Sequence, residues 1–298
     1  MISFKQIQYA LAVAKHLHFR KAADEASVSQ STLSTAIAEM EKQLGFEVFE
    51  RDNKKVLVSQ VGKLFLAKAK EIQMHMQEVE QLVQSQKGVL SFPMQMGIIP
   101  TICPYLLPRV LPALGEQYPE FELNITEDQS APLIEKVRSG ELDTAIIALP
   151  YPIEGLLTFE FWQEDLFWVS HCDDKCASGD SITSEELSNS NLMLLRDGHC
   201  LKDQALSAGK LSSRSTKSLD ASNLTTLIQL VLGRMGSTLI PELALDQLVN
   251  IHPSLKIMQL SQTGPHRRLA FIVRPNYANL NNIEALMALF KSELSKSS

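Results

Sequence analysis

The chain has 298 residues, 45% of them apolar, and a formal net charge of −6. That length allows two or three domains with real hydrophobic cores. No stretch holds the roughly 18 consecutive apolar residues of a membrane-crossing helix, so a membrane-spanning protein is excluded.

The N-terminus alternates charged and apolar residues and lacks the apolar core of a secretory signal. Four cysteines without framework spacing suit a reducing compartment. The expected location is the cytoplasm, and the expected state of the cysteines is the free thiol. Charge is uneven along the chain. Residues 1–90 carry 12 Lys and Arg against 10 Asp and Glu, a net +2, and the remainder carries 16 against 24, a net −8. A mildly basic head on an acidic body points to a polyanion partner for the head.

Ser3 to Gln6 has the pattern of a capping box. Ile7, Ala10, Leu11 and Ala14 then recur at helical spacing. A short second helix follows, with Phe19, Ala22, Ala23 and Ala26 on one face. Ser29 in "SVSQS" suits the N-cap of a third helix, along which Leu33, Ile37, Met40 and Leu44 form the apolar stripe, and Gly45 stops it. Short helices joined by a tight turn predict a helix-turn-helix. Its candidate DNA contacts are Ser29, Gln30, Ser31, Thr32, Ser34 and Thr35. In "VFERDNKKVLV" the turn residues Asp52 and Asn53 separate two apolar runs, which predicts a hairpin, or wing. Arg51, Lys54 and Lys55 cluster at its tip and suit phosphate contact.

The stretch "FRKAADEASVSQSTLSTAIAEMEKQLGFEVFER" resembles the N-terminal domain of LysR-type transcriptional regulators. The resemblance rests on Ala22-Ala23, Ser29-Gln30, Leu33-Ser34, Met40-Glu41, Leu44-Gly45 and Phe49-Glu50-Arg51 at fixed spacing. It implies double-stranded DNA as partner and transcription regulation as function, with RNA polymerase a further candidate partner. Two features depart from the family. Ser31 stands where proline is usual, and the reading helix, with Thr35, Ala36, Ala38 and Glu39, is poor in basic residues.

From Ser59 to about Gln86 a long helix is predicted. Phe65, Ala69, Ile72, Met76, Val79 and Val83 step by four and three, a heptad seam for a coiled-coil homodimer. A two-fold dimer would read an interrupted inverted repeat, and a homotetramer is the expected assembly. The expected division is therefore a winged helix-turn-helix over 1–58, a linker helix over 59–88 and an effector domain over 89–298.

The body alternates strand and helix: "MQMGII", "TICPYLLPRVLPALGEQY", "FELNITE", "SAPLIEKVRSG", "DTAIIAL". That alternation predicts an α/β fold with parallel sheet. A second round runs from "DLFWVSH" to "LKIMQL", and "RRLAFIVRP" reads as a strand returning to the first. Two lobes result, lobe I over about 89–162 and 267–298 and lobe II over about 163–266. This resembles the two-lobed, periplasmic-binding-protein-like effector domain of LysR-type regulators. Thr101 and Ser130 are each placed to cap a helix beside the cleft, where ligands gather in such folds.

"LLRDGHCLKDQALSAG" puts Cys200 at or near a helix N-terminus, with Arg196, His199 and Lys202 close by. The helix dipole and these cations favour a thiolate, the form that peroxide attacks. Alternatively, it is a buried, inert cysteine. "GIIPTICPYLLP" and "LLRDGHCLKDQA" together resemble the hydrogen peroxide-sensing OxyR branch of the LysR family. The resemblance implies that Cys200 is redox-active and that Thr101, Ser130, His199, Asp203 and Arg274 form or support a peroxide pocket. In that branch glycine is usual at Cys103, threonine at Ser130, and a second, resolving cysteine at Gly209. Without that cysteine, Cys103 is the candidate alternative disulfide partner. A sulfenic acid that persists or takes up a small thiol, and a regulator that has lost peroxide switching and binds a metabolite, are the other readings.

His171, Cys172 and Cys176 in "HCDDKC" read as a surface loop rather than a metal site, and no cofactor is expected. A thiol enzyme or a solute-binding protein would not need the reading head and coiled coil, so the expectation is a regulator and not an enzyme.

Overall fold

A computed structural model of the chain describes residues 1–52, 55–85, 88–174, 179–210 and 220–296. The chain divides into two compact units, Met1–Val83 and Gln84–Ser298.

In the first unit, helix α1 (Phe4–His16) starts on a complete capping box. Ser3 Oγ accepts from the Gln6 N–H and Gln6 reaches back to the Ser3 N–H. Helix α2 (Phe19–Glu25) leads through a turn to α3 (Gln30–Leu44), whose N-cap Ser29 accepts from the Thr32 N–H at 3.1 Å. Gly45 ends α3 in the left-handed region at φ 76°, where a side chain would be strained. Ala10, Val13, Ala22, Leu33, Ile37 and Met40 meet as one buried core.

Strands β1 (Phe49–Asp52) and β2 (Lys55–Val58) pair antiparallel as the wing. The Glu41 carboxylate accepts from the N–H groups of Val48 and Phe49 at 2.8 and 3.0 Å, which ties the wing to the end of α3. Helix α4 (Gln60–Ser85) completes this part of the chain. Phe65 of α4 packs edge-to-face on Phe46, and Ala69 is buried. Ile72, Met76 and Val79 are exposed in the single chain.

The second unit runs β3 (Met94–Ile98), α5 (Cys103–Gln117), β4 (Leu123–Glu127), α6 (Ser130–Arg138), β5 (Thr144–Leu149) and β6 (Leu157–Glu164). It continues through β7 (Leu166–His171), β8 (Ser181–Ile182), α7 (Ser184–Asn189), β9 (Leu194–Leu195), α8 (Cys200–Ala208) and β10 (Asp220–Ala221). It ends with α9 (Leu224–Leu232), α10 (Glu242–Leu248), β12 (Leu255–Leu260), β13 (Arg267–Val273) and α11 (Leu280–Ser295), with β11 (Thr238–Pro241) between α9 and α10.

One sheet has the order β4-β3-β5-β13-β6 and a second the order β11-β7-β12-β8, with β9 and β10 pairing separately. The sheets are not purely parallel. β3 pairs parallel with β4 and β5, but β13 runs antiparallel to both β5 and β6. The difference has a topological cause. Local β-α-β units give parallel neighbours, whereas β13 enters the first sheet directly from the second. β7 likewise pairs antiparallel with β11 and β12.

The chain passes between the sheets twice, at Asp165 after β6 and over the residues between β12 and β13. Arg267 and Glu164 face each other in register where the crossovers meet.

Candidate thiol site and nucleic-acid interface

Cys200 is the first residue of α8 and is 4% exposed. The turn before it is built by Gly198 at φ 95°. A Cβ there would collide with the Gln129 side chain, so the backbone before α8 lies directly against the residue that caps α6. Two helix starts thereby face each other, α8 with Cys200 and α6 with Ser130.

The expected caps need correction. Gln129, not Ser130, is the N-cap of α6, and Ser130 is its first helical residue. Thr101 lies in the turn before α5, and Ile102 is the cap position. Each hydroxyl is thus released from capping. Ser130 Oγ is buried without a complete hydrogen bond, and the group within its reach is the Cys200 thiol. Thr101 Oγ1 accepts from Arg267 Nη1 at 3.2 Å, and its carbonyl accepts from Nη2 at 3.2 Å.

The guanidinium at the site is therefore Arg267, not Arg274. Arg274 Nη1 donates to the carbonyls of Val137 and Leu142 at 2.8 and 2.7 Å, and its guanidinium lies 5.9 Å from the Tyr277 ring centre. It belongs to the packing beneath α6. The physical reason is strand register: Arg267 opens β13 at the crossover opposite Glu164, while Arg274 follows the far end of that strand.

Burial pushes the Cys200 thiol up, against opposing contributions from the Arg267 cation, the Ser130 hydroxyl and backbone hydrogen bonds at Ala148 and Leu201. The helix start alone does not make Cys200 a thiolate, contrary to the expectation from sequence. The cation acting on the thiol is Arg267 rather than the expected Arg196, His199 or Lys202. Burial, and Arg196 nearby, hold His199 below the usual histidine range, and Lys202 is paired with Asp197 at 2.8 Å.

Asp203 is exposed, one turn along α8 from Cys200. Tyr151 lies near enough to both for their charges to reinforce the upward push that burial gives its phenol. Sequence reasoning missed Gln204, which shares the buried face of α8 with Cys200. Its Nε2 donates to the Ala148 carbonyl at 3.2 Å and its Oε1 is buried without a partner. The i, i+4 spacing from Cys200 was the available signal.

Cys103 is the first residue of α5, and its thiol is pushed up to about 12 by burial and by Glu127. The group acting on Cys103 is Glu127, whereas those acting on Cys200 are Arg267, Ser130, Ala148 and Leu201; neither set holds the other cysteine. His171, Cys172 and Asp173 bring ligand atoms within 4.8 Å of one another, but Asp173 is also paired with Arg234 at 2.7 Å. Cys176 lies outside the described residues.

On the reading head, Ser29, Gln30, Ser31, Thr32 and Thr35 are exposed along the start of α3, and Ser34 is half-buried. Ser29 Oγ is within hydrogen-bond distance of the hydroxyls of Ser31 and Thr32 at 2.8 and 2.7 Å. The helix start thus presents a run of hydroxyl groups beside its positive dipole end. Arg51 lies on β1, Lys55 is exposed at the start of β2, and Lys54 lies outside the described residues. No helix among the described residues is long and apolar enough to cross a membrane.

A helix-turn-helix head and a two-sheet body define a class of bacterial regulator. Residues 4–63 match the bacterial regulatory helix-turn-helix family of the lysR type, and residues 89–295 match the LysR substrate binding domain. The chain belongs to the LysR family of DNA-binding transcription regulators.

Within that family the similar proteins include hydrogen peroxide regulators. The chain is 34% identical to a probable hydrogen peroxide-inducible genes activator of Streptomyces viridosporus, over 98% of this chain and 94% of that protein. It is 33% identical to the HTH-type transcriptional regulator EstR of Acinetobacter baylyi, over 97% and 96%. A hydrogen peroxide-bound cysteine-to-serine mutant of Corynebacterium glutamicum OxyR superposes with a TM-score of 0.68 at 31% identity, covering 99% and 94% of the two chains.

Proposed function

We propose that the protein senses hydrogen peroxide through Cys200 and switches promoter binding of oxidative-stress genes. The observation that carries this reading is a set of buried polar groups around the Cys200 thiol: Ser130 Oγ, with only that thiol in reach, Gln204 Oε1, without a partner, and the nearby Arg267 cation. Buried polar atoms are normally satisfied, so these suit a small polar guest. The solved relative that carries peroxide supports the same reading.

In the proposed step the Cys200 thiol gives up its proton and the thiolate attacks one peroxide oxygen. An S–O bond forms, the O–O bond breaks, and the departing hydroxide takes up a proton to leave as water. Sulfur is oxidised by two electrons to the sulfenic acid. The Thr101 and Ser130 hydroxyls and Arg267 face the developing oxygen charge, and His199, its ring hydrogen-bonded to the Ser222 backbone, supports the turn before Cys200. Asp203 supports α8 from the exposed side, and Arg274 supports α6.

Gly209 caps the end of α8 where the peroxide-sensing branch has its resolving cysteine. The sulfenic acid therefore persists, condenses with a small thiol, or reaches Cys103. The added oxygen changes the packing of Cys200, so the segment that begins at Arg196 rearranges and changes contacts between effector domains; of the span 196–215 assigned to it, residues 211–215 lie outside the described residues.

The division into reading head (1–58), linker helix (59–88) and two-lobed effector domain (89–298) gives each step its place. Pairing of α4 makes the homodimer and effector contacts the tetramer. The α3 hydroxyls and the wing cations Arg51, Lys54 and Lys55 engage an interrupted inverted repeat in the cytoplasm, beside RNA polymerase. A Cys200→Ser protein should bind the same DNA but show no peroxide-dependent change of footprint; a footprint that still changes overturns the proposal. Similarity to EstR, whose name mentions no peroxide, favours a second reading, in which a metabolite occupies the cleft.

A further inference from the structure

Arg267 is an unusual residue to find dry. Its side chain is fully buried, and so is that of Glu164, to which its Nε donates at 2.6 Å. The second oxygen of Glu164 accepts from the Leu243 N–H at 2.8 Å, in the first turn of α10. The two outer nitrogens of Arg267 both go to Thr101. The guanidinium is thus held along one edge by Glu164 and directed with its other nitrogens toward the turn before α5. Its charge also bears on Tyr105 and Cys200.

The backbone reinforces this arrangement. Glu164 ends β6 and Arg267 opens β13, so the carboxylate belongs to one crossover and the guanidinium to the other, opposite in register. The His266 N–H donates to the Glu164 carbonyl at 3.1 Å, and the Glu242 N–H to the Asp165 carbonyl at 3.0 Å. The carboxylate therefore sits on a part of the backbone fixed by both crossovers and by the start of α10.

From this geometry we infer that Glu164 is a positioning residue for the chemistry of Cys200: it holds Arg267 where its cation reaches the thiol. The inference rests on Cys200 being the reactive group. Charge and position make opposite predictions about removing Glu164. If Arg267 stays in place without it, a neutral residue at 164 leaves the cation less neutralised, and the Cys200 thiol becomes more acidic. If Glu164 is what holds Arg267, an unpaired guanidinium leaves a dry site, because burying a lone charge is costly. The thiol then loses its cation and becomes less acidic.

The test is alkylation of Cys200 by iodoacetamide in the full-length protein, followed by peptide mass spectrometry across pH, in wild type, E164Q, R267Q and the double variant. E164Q should raise the pH midpoint of alkylation by about one unit and slow alkylation at pH 7.5 about tenfold. In the R267Q background E164Q should move the midpoint by no more than about 0.3 unit and the rate by no more than about twofold, because the two residues act as one unit.

A midpoint that falls or stays, or an equal shift without Arg267, overturns the inference. The double variant leaves no orphaned charge. E164D keeps the charge but, one methylene shorter, cannot hold both Arg267 Nε and the Leu243 N–H. Its midpoint should also rise, and an unshifted E164D overturns the inference even if E164Q does not fold. Iodoacetamide reads the thiol whatever its natural oxidant. A Cys200 that alkylates as described yet ignores peroxide therefore overturns the sensing proposal and leaves the role of Glu164 standing.

Discussion

Ser130 shows how a residue can be costly to stability and still be useful. The residue is 1% exposed, and its hydroxyl lacks a complete hydrogen bond. An unsatisfied buried polar group costs roughly 1–3 kcal/mol. Ser130→Ala should therefore leave urea stability unchanged or slightly raised, while slowing the reaction of Cys200 with peroxide about tenfold or more. A plain structural serine would behave differently: losing it would lower stability and leave the rate alone.

Cys103 makes a separate, pH-dependent contribution. Its native thiol titrates at about 12, against an ordinary value of 9.0. Between those values the folded protein keeps a proton that the unfolded chain has lost. The stabilisation is complete below about pH 9 and disappears as pH rises to about 12. Cys103→Ala should flatten the alkaline fall in unfolding free energy without abolishing it, because Tyr105 is also pushed up to about 12.

At the scale of elements, α4 carries the clearest surface. Ile72, Met76 and Val79 are 43%, 38% and 53% exposed, along one face of a helix that elsewhere buries Leu66 and Ala69. Ile72→Glu with Met76→Glu should convert dimers to monomers in sedimentation velocity. Loss of two-headed binding should weaken operator affinity about a hundredfold or more, with helicity retained. Dimers that survive both charges would mean that the helix serves its own chain.

Elements were also where the sequence was most legible. The capping box at Ser3, the cap at Ser29, the stop at Gly45 and the start of α8 at Cys200 are all local chemistry, set by residues within one turn. Features fixed by distant strands were not legible. Arg267, Arg268 and Arg274 are three arginines in one short stretch, and only the register of β13 against β6 says which one meets the buried Glu164 at the crossover. The same holds for the antiparallel entry of β13, and for Gln129 taking the cap expected of Ser130. The net effect on the Cys200 thiol was misjudged because helix dipole and cations can be read along a chain, whereas burial cannot.

At the scale of the whole molecule, one chain carries both a helix-turn-helix reading head and a thiol buried between two helix starts. The central claim is that Cys200 is the group peroxide finds first. The direct measurement is intact and peptide mass spectrometry of the reduced protein after brief exposure to near-stoichiometric hydrogen peroxide. The account predicts a sulfenic adduct, a mixed disulfide or a Cys103 disulfide at Cys200, formed before the other cysteines are modified. A Cys200 that stays reduced while the exposed Cys172 oxidises would contradict it, leaving a LysR-type regulator whose signal is something other than peroxide.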